Sequence, residues 1–68
     1  MKPGYNLREI RTRKGLSQGQ IADILETTQQ QYSKYELGTQ ELPARHIIKL
    51  CNYYKISADK ILGLKEEE

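Results

Sequence analysis

The sequence predicts an all-α fold of five helices in a single domain. Apolar residues recur at helical spacing through nearly the whole chain, and capping or turn-forming residues interrupt the pattern at short intervals. The chain has only 68 residues, which suits one small domain. It contains a single cysteine, so an apolar core rather than intrachain disulfides must provide its stability.

The first helix is predicted over residues 4–14 and the second over residues 18–25. In the first helix, Leu7 and Ile10 face inward among charged neighbours. Gly15 suits the left-handed conformation that commonly ends a helix.

Two capping boxes predict where the second and third helices begin. Ser17 is followed three residues later by Gln20, and Thr28 is followed at the same distance by Gln31. In such a box the hydroxyl accepts from the backbone N–H three residues on, and the glutamine side chain bonds back to the cap. The third helix is therefore predicted over residues 29–37.

Gly38 is predicted to end the third helix, and Pro43 suits the start of a fourth over residues 44–54. Ser57 is predicted to cap a fifth helix over residues 58–62. The other apolar residues that the predicted second, fourth and fifth helices carry are Ile21, Ala22, Ile24, Leu25, Ile47, Ile48, Leu50, Cys51, Tyr54, Ile61 and Leu62.

The net charge of +2 is unevenly distributed along the chain. Residues 1–14 hold five basic residues and one acidic residue, whereas the remainder holds six basic and eight acidic residues. A basic first segment indicates an anionic partner such as nucleic acid, and a mildly basic helix facing solvent explains it equally well. The domain is predicted to span residues 1–64, followed by a solvated acidic tail over residues 65–68.

The second and third helices have the dimensions of a helix-turn-helix. They begin eleven residues apart, at Gln18 and Gln29, and only a short turn separates them. A helical wheel divides the third helix into a polar side and an aromatic side that suits the core. The polar side consists of Gln29, Gln30, Ser33 and Lys34, and the aromatic side of Tyr32 and Tyr35.

Exposure to solvent is the ordinary explanation of a polar helix side, but three features favour a binding surface here. The polar side begins at a helix N-terminus, which favours phosphate. It is nearly free of acidic residues. Its glutamine side chains carry a donor and an acceptor that match the N6 and N7 edge of adenine in the major groove.

The stretch "LSQGQIADILETTQQQYSKYELGTQELP" resembles the helix-turn-helix of lambdoid phage repressors and Cro proteins. The resemblance extends roughly from Leu7 to Gly63 and includes the later "ISADKILG". It implies a compact five-helix, lambda-repressor-like domain that binds double-stranded DNA as a homodimer. It also implies a regulator of transcription, with repression favoured over activation. The cytoplasm is the expected compartment, because the sequence has no signal-peptide pattern or membrane-spanning apolar run and is poor in cysteine.

The resemblance assigns roles to individual residues. The third helix would enter the major groove, where the expected base contacts are Gln29, Gln30, Ser33 and Lys34. The expected phosphate contacts are Gln18, Thr28, Thr39 and Gln40. Arg11 and Glu36 match a buried ion pair between the first and third helices.

Several positions depart from the family pattern. Glu26 occupies a turn position where glycine is common. A left-handed backbone there would cost roughly 1–2 kcal/mol, so the turn is expected either to be strained or to have a different shape. Leu37 replaces a commonly polar residue that can contact phosphate. Gln40 and Glu41 stand where some relatives carry lysine and arginine near the minor groove.

The residues do not suggest an enzyme or a metal protein. With one histidine and one cysteine, a zinc cluster is not expected; His46 is interpreted as a surface or packing residue and Cys51 as a core thiol. No nucleophile with a neighbouring base is apparent, and no cofactor or small-molecule ligand is predicted. The sequence has no signal-peptide pattern and no apolar run of membrane-spanning length.

A second hypothesis belongs to a different class. The same fold can serve as a protein-interaction module, such as an antitoxin-like or anti-repressor subunit. Its main interface would then be formed by the aromatic and aliphatic residues of the fourth and fifth helices.

Overall fold

A computed structural model describes residues 6–63, which form five α-helices around one apolar core. The helices are α1 (Leu7–Arg13), α2 (Gln18–Ile24), α3 (Gln29–Leu37), α4 (Ala44–Tyr54) and α5 (Ala58–Leu62). Helix α2 packs on α3, α1 also contacts α3, and α4 packs on α5. The all-helical fold predicted from the sequence is confirmed.

The core draws on the inward faces of all five helices. Its most deeply buried large side chains are Leu7, Ile10, Ile21, Tyr32, Leu50 and Ile61. Full burial of one such aliphatic side chain contributes about 1.5–3 kcal/mol. Ala22 is also buried, and it lies on α2, the helix that packs most extensively on α3.

One of the two predicted capping boxes is complete and the other is half formed. Before α2, Ser17 Oγ accepts from the Gln20 backbone N–H at 3.1 Å, and Gln20 Oε1 accepts from the Ser17 N–H at 2.8 Å. Before α3, Thr28 Oγ1 accepts from the Gln31 N–H at 3.0 Å. The Gln31 side chain, however, donates to Tyr35 Oη at 3.3 Å, because Tyr35 lies one helical turn further on and offers an acceptor there.

Of the two shapes expected for the turn between α2 and α3, the structure has the strained, left-handed one. Glu26 has φ of 60°. The Thr27 backbone N–H donates to the Ala22 carbonyl at 2.9 Å, which closes the turn of a Schellman-type helix end. The residues with positive φ within residues 6–63 are Gly15, Glu26, Gly38, Lys55 and Gly63.

Helix α1 is shorter than predicted at its start. Asn6 precedes it with φ −82° and ψ 24°, and it is held against the other end of the fold. Its backbone N–H donates to the Ile61 carbonyl and its side-chain amide to the Lys60 carbonyl, both at 2.9 Å. These tertiary bonds take Asn6 out of the helix. The predicted helical residues 4 and 5 and the predicted tail over residues 65–68 lie outside the described residues.

Three smaller predictions need correction at helix ends. Helix α1 ends at Arg13 and α2 at Ile24, each one residue earlier than predicted, because Lys14 and Leu25 already belong to the turns that follow. Ser57 precedes α5 with an extended backbone, but its side chain makes no capping hydrogen bond.

Ile48, one of the apolar residues of α4, lies outside the core and is 61% exposed. Two residues along a helix correspond to a rotation of about 200°, so Ile48 points away from the buried Leu50. Cys51 is only half-buried and packs against the edge of the core. Within residues 6–63, no helix is long and apolar enough to cross a lipid bilayer.

Candidate nucleic-acid interface

The polar side of α3 and the start of α2 together line a surface concavity of about 610 Å³. Its lining residues are Gln18, Gln29, Gln30, Ser33 and Lys34. The structure therefore brings together all four residues expected to contact bases and one of those expected to contact phosphate. We call this concavity the glutamine surface.

The aromatic side of α3 determines which way the glutamine surface faces. Tyr32 and Tyr35 are buried in the core, and their rings meet edge to face at a centroid distance of 6.3 Å. Anchoring this side leaves Gln29, Gln30 and Lys34 exposed on the opposite side of the helix. The orientation predicted by the helical wheel thus agrees with the packing.

The N-terminus of α3 gives the glutamine surface a favourable potential for an anion. Thr28 caps the helix, and its first turn contains no acidic residue. Backbone N–H groups at a helix start and the positive end of the helix dipole both favour phosphate. Lys34 adds the only full positive charge among the lining residues.

The other residues expected to contact phosphate flank this surface without lining it. Thr28 is exposed at the start of α3, and its hydroxyl oxygen accepts the capping bond. Thr39 and Gln40 are exposed in the loop after α3, where Thr39 Oγ1 donates to the Lys34 carbonyl at 3.4 Å.

Gln18 is positioned by a bond that the sequence did not reveal. Its amide nitrogen Nε2 donates to Glu36 Oε1 at 2.9 Å. The Glu36 carboxylate in turn accepts from Arg11 Nε at 2.6 Å and Nη2 at 3.2 Å. A glutamine amide has two hydrogens, so Gln18 can donate to a phosphate while it keeps its bond to Glu36.

The Glu36 carboxylate is charged but neutralised within the fold. Its side chain is 4% exposed, and the paired Arg11 side chain is 12% exposed. Burial alone would raise the pKa of Glu36, but the hydrogen bonds from Arg11 and Gln18, together with the nearby Tyr32 hydroxyl, outweigh it and lower the pKa below the ordinary 4.5. Because Arg11 compensates the charge at close range, Glu36 does not make this side of the domain repel an anion.

The Tyr32 hydroxyl also belongs to this group of buried polar atoms. It is buried close to the Glu36 carboxylate without a hydrogen bond of regular geometry. Burial, followed by the neighbouring carboxylate, raises the pKa of Tyr32 far above that of a free tyrosine.

A second concavity, of about 390 Å³, adjoins the glutamine surface. Its lining residues are Arg8, Arg11, Gln18, Glu36 and Leu37, so Gln18 belongs to both. Arg8 was not among the residues predicted to bind DNA, although its position one helical turn before Arg11 places both side chains on the same side of α1. Leu37 is 66% exposed here.

The histidine is a packing residue. His46 is buried, and its ring meets Tyr35 edge to face at a centroid distance of 5.7 Å. Burial, Arg45 and Lys49 all lower the pKa of His46. Between residues 6 and 63, no group of three histidine, cysteine or acidic side chains lies close enough to hold a metal ion.

The chain is similar in sequence to one protein family and to several known proteins. The family described as "Helix-turn-helix domain" matches residues 4–67. Over 59 residues the chain is 42% identical to the SPbeta prophage-derived uncharacterized HTH-type transcriptional regulator YonR of Bacillus subtilis (strain 168). This match covers 87% of the chain and 55% of YonR.

The chain is also similar to a second relative and to a solved structure. The chain is 32% identical over 66 residues to the HTH-type transcriptional regulator ImmR of Bacillus subtilis (strain 168), covering 97% of the chain and 52% of ImmR. The crystal structure of a transcriptional regulator from Listeria innocua superimposes with a TM-score of 0.82 at 25% identity, covering 96% of the chain and 64% of that protein. The chain thus spans about half the length of the curated relatives it matches.

Proposed function

Because the chain belongs to the helix-turn-helix domain family, we propose that it is a sequence-specific, double-stranded DNA-binding regulator of transcription. The observation that carries the proposal is the glutamine surface. It joins the exposed side of α3 to the start of α2, and its lining contains no acidic residue. The relatives' description as HTH-type transcriptional regulators supports the same function.

In this proposal α3 enters the major groove, which is wide enough to admit a helix. Gln29 and Gln30 read base edges, because each side-chain amide can donate and accept at an adenine. Lys34 contacts guanine or a nearby phosphate, and Ser33 adds a short contact to a base edge. No bond is made or broken, so the chain acts by binding and not as an enzyme.

Phosphate contacts would then set the position of α3 on the duplex. The residues proposed for this role are Gln18, Thr28, Thr39 and Gln40. Gln18 is supported by its place on both concavities, and Thr28 by its position at the N-terminus of α3.

We further propose that the DNA-binding domain spans residues 1–64 and acts as a homodimer in the cytoplasm, repressing transcription by covering an operator. Two-fold symmetric half-sites one helical turn apart are what paired helices of this type bind. The exposed side chains of Ile48 and Tyr53 on α4 offer apolar surface for dimer contacts.

Selection of bound duplexes from a random pool tests the proposal, because it reveals both the bases read and any palindrome. On the selected duplex, Gln29→Ala and Gln30→Ala should each cost about 1–3 kcal/mol of binding free energy, with little effect on random DNA. Gln40→Ala is the contrasting variant, since loss of a phosphate contact weakens both complexes alike. Equal losses on both duplexes for the α3 variants would remove base reading from the proposal.

A second candidate is a protein-interaction module, such as an antitoxin-like or anti-repressor subunit. Three large apolar side chains that are exposed within residues 6–63 favour it: Leu37, Ile48 and Tyr53. Absence of binding to any duplex pool at low salt, together with tight binding to a protein, would support this candidate over the first.

A further inference from the structure

The arginines of α1 differ in whether their charge is already neutralised. Arg11 is paired with Glu36 at 2.6 Å, and Arg13 with Glu9 at 3.2 Å. Arg8 is exposed and has no ionic or hydrogen-bonded partner among residues 6–63. Among the described residues 6–63, its guanidinium is therefore the charge of this helix that no side chain compensates.

The position of Arg8 connects this charge to the glutamine surface. Arg8 lines the adjoining concavity of about 390 Å³, which shares Gln18 with the glutamine surface. Among the described residues that line this concavity, the charges of Arg11 and Glu36 cancel, so its net positive charge comes from Arg8. An anion placed against α3 and Gln18 thus meets Arg8 next along the same side of the domain.

The end of α3 lacks a donor of its own on this concavity. Leu37, its last residue, lies 66% exposed, and an aliphatic side chain cannot bond a phosphate oxygen. A guanidinium is well suited to the task, since it can donate two parallel hydrogen bonds to a phosphate.

Taken with the proposed DNA-binding function, on which this inference rests, we propose that Arg8 is a phosphate-contact residue that extends the DNA interface from α3 and Gln18 onto α1. It supplies at the Leu37 end of α3 the donor that Leu37 cannot supply. The contact positions the domain on the backbone and carries no base preference.

The test compares Arg8→Gln with Arg13→Gln in titrations of the selected duplex and of a random duplex over a range of salt. Both variants remove one positive charge from the same helix, but Arg13 already pairs with Glu9. For Arg8→Gln, the slope of log K against log salt should fall in magnitude by about 0.9 per half-site, or about 1.8 for a homodimer, on both duplexes. The affinity deficit of this variant relative to the unmodified protein should therefore shrink about 12-fold for a homodimer when salt is raised fourfold.

Two control variants and two further measurements complete the test of the Arg8 contact. Arg13→Gln should keep the slope of the unmodified protein, and Arg8→Lys should restore most of it. Ethylation interference should locate one phosphate per half-site whose contribution disappears in Arg8→Gln. Thermal unfolding of each variant checks that the fold is retained.

An unchanged slope for Arg8→Gln, or equal losses for Arg8→Gln and Arg13→Gln, overturns the contact while leaving DNA binding intact. If the unmodified protein binds no duplex at low salt, the proposed function fails and this inference fails with it.

Discussion

The guanidinium of Arg11 and the carboxylate of Glu36 join α1 to α3 through two hydrogen bonds, from Nε to Oε2 at 2.6 Å and from Nη2 to Oε1 at 3.2 Å. The same carboxylate accepts from Gln18 at the start of α2. One buried acidic side chain therefore connects three helices. It also positions Gln18, which belongs to the glutamine surface.

Removing one partner of the Arg11–Glu36 ion pair should destabilise the fold strongly. Glu36→Leu leaves the Arg11 charge with little water and no counter-ion, so we expect the free energy of unfolding to fall by about 3 kcal/mol. Urea denaturation measures the change. Glu9→Gln is the control, because its pair with Arg13 is exposed on both sides and should cost less than about 0.5 kcal/mol.

Replacing both partners distinguishes a stranded charge from a lost helix contact. In Arg11→Met with Glu36→Leu no charge is left unpaired, so most of the stability lost in the single variant should return. A double variant as unstable as the sum of the two single variants would contradict this explanation.

The fold should lose stability in acid because the Glu36 carboxylate becomes protonated. Its pKa in the fold is held below the ordinary 4.5, so the ionised form contributes stability that is fully present above about pH 4.5. That contribution is lost as pH falls from about 4.5 through the lower pKa of the folded state. The stability difference between the unmodified protein and Glu36→Gln should therefore narrow below pH 4.5, measured by urea denaturation at several pH values. A stability difference between the two proteins that does not change with pH would contradict this prediction.

His46 should give a second pH dependence in a higher range. Burial and two neighbouring cations lower its pKa from 6.5, so the neutral ring is favoured by folding. The stability that follows is present above about pH 6.5 and is lost as pH falls below it. His46→Phe keeps an aromatic ring against Tyr35 without a titrating group. Thermal unfolding between pH 7.5 and pH 5.5 should show the unmodified protein losing stability relative to this variant, and parallel curves would argue against the prediction.

Replacing Glu26 with glycine in the strained turn between α2 and α3 should stabilise the fold. Glu26 has φ of 60°, a conformation that costs a side-chain-bearing residue about 1–2 kcal/mol. Glycine removes this cost but loses part of the gain to its greater freedom when unfolded. We expect Glu26→Gly to raise the free energy of unfolding by about 0.5–1 kcal/mol in urea denaturation. Glu26→Ala removes the carboxylate but keeps the strain, so it should show no such gain.

The Tyr54 hydroxyl should be dispensable for the stability of the fold. Its oxygen is buried without a hydrogen-bond partner among residues 6–63, and burial raises the pKa of Tyr54 to about 12. A buried polar group without a partner costs about 1–3 kcal/mol to desolvate. Tyr54→Phe should therefore leave thermal stability unchanged or raise the free energy of unfolding by up to about 1 kcal/mol. A clear loss would indicate that the hydroxyl has an acceptor in solution.

Local signals in the sequence were sufficient for much of the fold. Helices α3, α4 and α5 have the predicted limits, because caps, glycines and proline act on backbone groups within three to five residues. The polar and aromatic sides of α3 also followed from helical periodicity, since Tyr32 and Tyr35 could satisfy burial only on one side. The start of α1 did not follow, because Asn6 is held by carbonyl groups of α5.

The sequence by itself determined where most helices begin and end and which side of α3 faces outward, because those properties depend on neighbours along one helix. Only the tertiary structure decided that Gln18 bonds to Glu36, eighteen residues away. It also decided that Arg8 shares a concavity with Leu37. Such relationships depend on how separate helices pack, and helical periodicity carries no information about which side chain of one helix meets which side chain of another.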